Sequence, residues 1–412
     1  MLITEPRAQY DVVVVGGGMV GASFALDLAR SCADANLSLL VVEAIALGNQ
    51  SNQPSFDARS TALAWSSRAI YGDMGLWSAL EAVVTPIKEI EVSDKGHFGV
   101  THLDHAEQSA SALGYVIENR ELGAVLNSAL EQSQQIELLA PATIDLARPT
   151  AGGMAITIAS EGSTNVVDAK LVVLADGGRS PICSQLGIEQ TRKTYNQNAV
   201  ITNIAVANDH CNVAYERFTE SGPLAVLPLS KYENQSRASL VWTVTAGEEQ
   251  QLLECEDQAF ITQLAAQFGS RLGNIEKVGQ RFSYPLALSE AKEQIRPGLV
   301  LLGNVAHTLH PVAGQGLNLA LRDSAALVKT LVQAVAHGQS PGAMKVLQAY
   351  LDQQSPDQQQ AILFTDQMTA LFSSGEVGKV LLRKVGMRSR LSKPALRNNT
   401  FPTSPDENSA VI

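Results

Sequence analysis

The 412-residue chain has 41 acidic and 30 basic side chains, a net charge of −11, and is 45% hydrophobic and 17% charged. It is too long for one compact core and too apolar for a disordered chain, and its length suits two or three domains. The acidic balance argues against general nucleic-acid binding. Cys32, Cys183, Cys211 and Cys255 lie far apart with no C-x-x-C pair, which suits neither a disulfide scaffold nor a zinc site and points to a reducing cytoplasm. No apolar run reaches the roughly 18 residues of a membrane span, and MLITEPRAQY lacks a signal-peptide layout.

In chain order, Tyr10 to Val15 is β-branched and uninterrupted, as a strand buried on both faces should be. Gly16-Gly17-Gly18-Met19-Val20-Gly21 follows, then a small-residue helix over Ala22 to Arg30 and a second apolar strand, Leu37 to Val42, ending at Glu43. This is a β-α-β unit. Leu63 to Leu80 reads as one helix, Ile87 to Val92 with His97 to Leu103 as a hairpin, Arg120 to Gln132 as a helix and Ile136 to Leu139 as a strand. A β-meander runs from Met154 to Leu174 and ends at Asp176-Gly177; residues 190 to 285 read as a separate antiparallel layer with one helix near Glu256 to Phe268. Leu299 to Gly303 returns to buried-strand character, and Leu317 to His337 is a long helix. No internal repeat or low-complexity segment is present.

Gly16, Gly18 and Gly21 have the G-x-G-x-x-G spacing between a strand and a helix, where bare N–H groups and the helix dipole hold a pyrophosphate. Glu43, 22 residues past Gly21, stands where a carboxylate accepts both ribose hydroxyls of an adenosine. These residues do not separate FAD from NAD. Downstream, Asp176-Gly177 and Gly303-Asn304 each end a strand, where ligands of open α/β sheets bind. The second site continues through His307, His310 and Pro311 to Gly314, Gln315, Gly316, Leu317 and Asn318. Its helix, starting near Leu317, points about half a positive charge back along the loop, which suits a reduced flavin.

The strings G-x-G-x-x-G, A-D-G-x-x-S and G-N-x-A-H-x-x-x-P-x-x-G-Q-G-x-N-x-x-x-x-D, in this order from about residue 10 to 355, resemble the flavoprotein aromatic hydroxylases. Asp57 to Leu63, Ser283-Tyr284-Pro285-Leu286 and Thr308 to Pro311 resemble their ubiquinone-biosynthesis branch. The resemblance implies an α/β chain in which a Rossmann-like FAD-binding domain (1–82, 108–182, 285–355) carries an inserted β-rich substrate domain (83–107, 183–284) and a helical C-terminus (356–412). It places Gly16, Gly18, Gly21 and Glu43 on the adenosine diphosphate, and Arg59 and Arg120 beside ribityl and pyrophosphate. It puts Asp176 near the cofactor and Asn304 with Gly314 to Asn318 on ribityl and isoalloxazine. The implied reaction is hydroxylation of a polyprenylated phenol with NAD(P)H and O2 through a C4a-hydroperoxyflavin, NAD(P)H visiting without a domain of its own. The same fold also serves FAD reductases and dehydrogenases, or a non-catalytic flavoprotein scaffold of a biosynthetic assembly. No acid or base is identified. Two positions depart from the family: Asn304 stands where relatives carry Asp, keeping the hydrogen bond without the charge, and Cys183 ends the D-G-x-x-S-x-x-R pattern in place of arginine.

His97, His102, His105 and Asp104 invite a metal reading, but positions 97 and 102 of a strand face opposite ways, so a surface hairpin without metal is expected. Residues 377–412 carry seven bases, Lys379 to Arg397, against two acids; Val377, Val380, Leu381, Leu382 and Val385 make an apolar stripe beside them. Such a segment either lies solvated or docks through 377–397 on the inner membrane face or against other proteins of the pathway. Truncation after Glu376 is predicted to lower liposome co-sedimentation and leave FAD bound.

Overall fold

The computed structural model describes residues 1–35, 37–46, 59–96, 99–108, 110–178, 180–310 and 314–372; the basic tail, His97 and Pro311 lie outside them. The chain opens with β1 (Gln9–Val15), α1 (Met19–Ser31) and β2 (Leu39–Val42). β3 (Ser60–Ala64), α2 (Trp65–Asp73), α3 (Trp77–Glu81) and β4 (Thr85–Ile87) follow, then the pair β5 (Glu89–Asp94) and β6 (Val100–Asp104). Next come β7 (Gly114–Glu118), α4 (Asn119–Gln132), β8 (Ile136–Leu139) and the meander β9 (Ala142–Thr150), β10 (Gly153–Ser160) and β11 (Ser163–Leu174). After α5 (Pro181–Gln185) the chain runs through β12 (Gln190–Val206), β13 (Val213–Thr219), β14 (Gly222–Tyr232) and β15 (Gln235–Thr245). It continues with α6 (Glu249–Glu254), α7 (Asp257–Phe268), β16 (Ile275–Val278) and β17 (Phe282–Ala291). β18 (Ile295–Arg296), β19 (Leu299–Leu301), β20 (His307–Thr308), α8 (Gln315–Ala336) and α9 (Met344–Phe372) complete it.

The first sheet has the order β18-β19-β11-β1-β2-β8, with β10 and β9 attached to β11. β1 pairs in parallel with both β11 and β2, so it is central and covered on both faces. Alternate residues therefore feed two cores: Val12, Val14, Leu39, Val41 and Leu171 join Phe24 and Leu28 of α1, whereas Val13, Val15, Leu40, Val42 and Val172 join Met154 and Ile156 of β10. This is the reason the strand reads as a continuous apolar run rather than an alternating one. The expected α/β class with a Rossmann-like unit is what forms.

The second sheet, β20-β17-β12-β15-β14-β13-β5-β6, is antiparallel except where β13 runs parallel to β5. One face packs on α6 and α7 through Val200, Leu224, Val226, Leu240, Trp242, Phe260 and Leu264. The other face looks toward the three-stranded sheet β3-β7-β4, with Ala214, Leu229, Ile87 and Val116 clustered at one corner.

Leu63 to Leu80 is not one helix. Residues 60–64 are drawn into a strand by β7, and Gly75 at φ +76° separates α2 from α3. Residues 89–94 and 100–104 pair as the expected hairpin. Among the described residues, no helix is long and apolar enough to cross a membrane. Phe260 is fully buried, edge-on to Trp242 and beneath the Arg281 guanidinium. Phe260→Ala should cost about 3–5 kcal/mol, measured by urea unfolding.

Candidate cofactor site

The end of β1 is bound tightly to the end of β11. A Cβ on Gly16, which sits at φ +99°, would lie 2.6 Å from the Ala175 carbonyl oxygen, and a Cβ on Gly21 would lie 1.9 Å from the Gly16 carbonyl oxygen. Only bare backbone fits this crossing. Glu43, at the end of β2 and 8% exposed, fixes the turn: its Oε2 accepts from the Gly17 amide at 2.5 Å and its Oε1 from the Ile45 amide at 2.9 Å. Each carboxylate oxygen keeps lone pairs for further donors. Gly18 caps α1 without any side-chain hydrogen bond, and the first turn holds no acid. The amides of that turn are thus left for an anion.

Two further strand ends meet this turn. A side chain at Gly178 would meet Thr308 Oγ1 at 3.4 Å and the Asn304 carbonyl oxygen at 3.7 Å; one at Gly303 would meet Val20 of α1 at 3.2 Å. Thr308 Oγ1 donates to the Asn304 carbonyl at 3.0 Å. The loops after β1, β11 and β19 therefore converge. Asp176 is the polar group at their junction: its Oδ1 is buried without a partner, and burial raises the carboxyl's pKa against the lowering effect of Ser180. Space is open within 4 Å of the Cβ positions of Gly177 and Gly316.

α8 begins at Gly314, which is left-handed at φ 59°, ψ 31°, again with no side-chain cap and no acid in the first turn. Gln315, Gly316 and Leu317 form that turn, each partly buried. Asn318 behaves differently from the expectation of a cofactor contact. Its Nδ2 donates to the carbonyls of Ala62 (2.8 Å) and Gly314 (2.7 Å), and its Oδ1 accepts from the Ala64 amide (2.8 Å) and Ser67 Oγ (2.6 Å). All four of its hydrogen-bonding capacities go to protein, so its side chain clamps β3 and α2 onto the start of α8.

Arg59 lies with Cζ 4.6 Å from the Tyr284 ring centroid. Arg120, the second residue of α4, pairs with Glu118 and Glu121 at 3.2 and 3.4 Å. Glu118, 8% exposed, is also held by Arg237 at 3.2 Å and Asn203 at 3.3 Å, tying β7 to the large sheet. Pro311 falls outside the described residues.

The sequence motif contains His307 and Asp323 but does not reveal that they form a pair. His307 Nε2 and Asp323 Oδ2 are 2.6 Å apart, both side chains 1% exposed, anchoring the Gly303–His310 loop to α8. His310 is fully buried, pushed down to about 4 by desolvation, and edge-on to Tyr195, whose hydroxyl donates to Asp366 at 3.0 Å. It is therefore neutral at physiological pH. His102 pairs with Glu89, and His105 Nδ1 meets the Ala110 carbonyl at 2.8 Å. No cluster of three or more metal-ligating side chains occurs among the described residues.

These donors and acceptors fit FAD. Two uncapped helix starts offer amides to a pyrophosphate and to the electron-rich edge of a reduced ring, and the buried acceptor on Asp176 suits a sugar-alcohol hydroxyl. Residues 9–365 match the family described as FAD binding domain. The chain is 35% identical to ubiquinone hydroxylase UbiL of Rhodospirillum rubrum over 92% of its own length and 85% of that protein. It is 32% identical to the 3-demethoxyubiquinol 3-hydroxylase of Escherichia coli over 82% of this chain and 84% of that one. Its fold superposes on p-nitrophenol 4-monooxygenase PnpA of Pseudomonas putida with a TM-score of 0.75 at 18% identity, covering 94% and 95% of the two chains. Gly21→Ala, which forces the α1 backbone away from Gly16, is predicted to lower FAD occupancy at least tenfold, read from the flavin absorbance of the purified protein.

Proposed function

The chain belongs to the FAD binding domain family, and we propose that it is an FAD-dependent monooxygenase that hydroxylates the aromatic ring of a polyprenylated phenol in ubiquinone biosynthesis, consuming NAD(P)H and O2. The observation that carries this reading is the convergence of three strand-end loops, with two uncapped helix starts and the buried Asp176 acceptor, in a chain whose relatives are named as ubiquinone-pathway hydroxylases. The motif set also resembles that of 2-octaprenyl-6-methoxyphenol hydroxylase.

Bound FAD supplies the redox chemistry, taking electrons from NAD(P)H and activating O2. The chain's own residues bind, orient and keep water out. The amides around Gly16, Gly18 and Gly21 hold the pyrophosphate while Glu43 fixes that turn and receives the ribose hydroxyls. Asp176, Gly177, Gly303 and Asn304 line the ribityl chain. The amides of Gly314, Gln315, Gly316 and Leu317 stabilise negative charge on the ring through the α8 dipole. Asn318 and the His307–Asp323 pair keep these groups in place, and Arg59, just before β3, and Arg120, in the first turn of α4, would stand beside the ribityl and pyrophosphate. Residues 83–107 and 183–284 form the substrate domain on this reading, against an FAD domain made of 1–82, 108–182 and 285–355.

The prenyl tail of such a substrate partitions into the bilayer, which supports peripheral attachment to the inner membrane face through 377–397 and contact with other enzymes of the pathway. A reductase of the same fold or a flavoprotein scaffold would use the same cradle without transferring oxygen. The test is turnover of a short-chain prenylphenol under 18O2. The hydroxylase gives phenol-stimulated NAD(P)H oxidation and one labelled oxygen per product; a reductase gives oxidation without label, and a scaffold gives neither.

A further inference from the structure

The face of the large sheet turned away from α7 carries a single carboxylate in an otherwise apolar row. On β13, Tyr215 packs edge-on against Phe268 of α7 and Arg217 Nε donates to the Gln267 carbonyl, so residues 214, 216 and 218 point the opposite way. Ala214 duly packs with Ile87 and Val116, on the side of the FAD-binding layers. Ladder pairing sets Glu216 in a row across five further strands: Val92, Glu216, Ala225, Val241, Ile201 and Phe282. The following row holds Tyr284, over which Arg59 lies.

On the α7 side, Leu224, Leu240 and Val200 are sealed, yet Ala225, Val241 and Ile201 in the Glu216 row are only partly covered. These three side chains therefore leave part of this face accessible. Among the described residues the Glu216 side chain makes no hydrogen bond or ion pair, and desolvation raises its carboxyl to about 7. An apolar wall with one unengaged acceptor matches an aromatic ring bearing one hydroxyl.

We infer that Glu216 receives the phenolic hydroxyl of the aromatic substrate and takes its proton during hydroxylation; this rests on the function proposed above. As the new C–O bond forms at the adjacent ring carbon, with the hydroxyl equivalent drawn from O2 and NAD(P)H through FAD, the phenolic O–H breaks. Its electron pair becomes a ring carbonyl and its proton passes to the Glu216 carboxylate. Loss of the ring C–H proton then restores aromaticity as Glu216 returns its proton to the carbonyl oxygen, and the C–H proton leaves in the water formed from the second oxygen atom of O2, so that NAD(P)H, O2 and one proton give NAD(P)+, water and the hydroxylated ring. Among the described residues, the ionisable groups on the same sheet face or opposite it include Asp94, Arg237, Lys277, Tyr284, Glu118 and Arg59. Arg237 is paired with Glu118 and Arg59 is stacked on Tyr284, while Asp94 pairs in register with Phe218.

The test compares holoenzyme and Glu216→Gln, whose amide keeps the shape. In the wild type, kcat/KM for a short-chain prenylphenol should rise with pH through about 7, because the base acts only when ionised. In E216Q that limb should disappear and the plateau fall on the order of 100-fold, with FAD absorbance unchanged. By flavin fluorescence, the wild type should prefer the phenol over its methyl ether and E216Q should not. Because a carboxyl whose pKa is raised in the folded state costs stability once pH rises past its ordinary value of 4.5, with the full cost reached above about 7, E216Q should also melt higher than wild type at pH 8 and no higher at pH 4. An unchanged pH limb and phenol preference in E216Q overturn the assignment. Should E216Q lose FAD, Glu216→Ala with added formate replaces it, and failure of formate to restore turnover counts against Glu216. If the wild-type enzyme shows no phenol-stimulated NAD(P)H oxidation, the function itself fails instead.

Discussion

The backbone crossing at Gly16, Ala175 and Gly21 is the constraint on which the site depends. Parallel pairing of β1 with β11 ends in register, Val15 beside Leu174, so the two loops that follow leave the sheet side by side. With no side chain between them, the first turn of α1 comes to the sheet edge and its amides point outward. β19, on the far side of β11, delivers Gly303 against Val20 of the same helix. A bulkier residue at either crossing would displace α1 and with it the anion-binding amides, although the sheet would remain intact.

Electrostatics within the cradle are set by withheld side chains as much as by supplied ones. Neither α1 nor α8 has a side-chain cap or an acid in its first turn, so each helix start keeps its partial positive charge for a ligand. The nearby acids are otherwise engaged: Glu43 on the Gly17 and Ile45 amides, Asp323 on His307. Asp176 and Asp323 each keep one buried oxygen, Oδ1, without a partner among the described residues.

How much could be read in advance follows from how local each determinant is. The β1-turn-α1-β2 unit was legible because its apolar run, glycine spacing and terminal Glu43 are contiguous. The helix over Asp257–Phe268 and the strand at Leu299–Leu301 were legible for the same reason. Leu63 and Ala64 read as the start of a helix, whereas their strand state comes from β7, about fifty residues on. β9 was missed because Pro149 and mixed polarity hide it, and only pairing with β10 makes it a strand. Asn318 was recognised as a motif residue, but its four-way clamp depends on β3 arriving at the same place. The inward direction of Glu216 depends on register across a six-strand row, which no local pattern encodes.

The parallel β5–β13 pair joins residues 89–94 to 213–218, and β1 gains β11 only at residues 168–174. A ribosome adding roughly 5–20 residues per second leaves the β5–β6 hairpin without its neighbour for about ten seconds. Throughout that interval Ile90 and Val92 present an unpaired edge, an opening for mispairing that nascent-chain chaperones are suited to cover. The order in which segments emerge thus sets how long this edge waits for its partner.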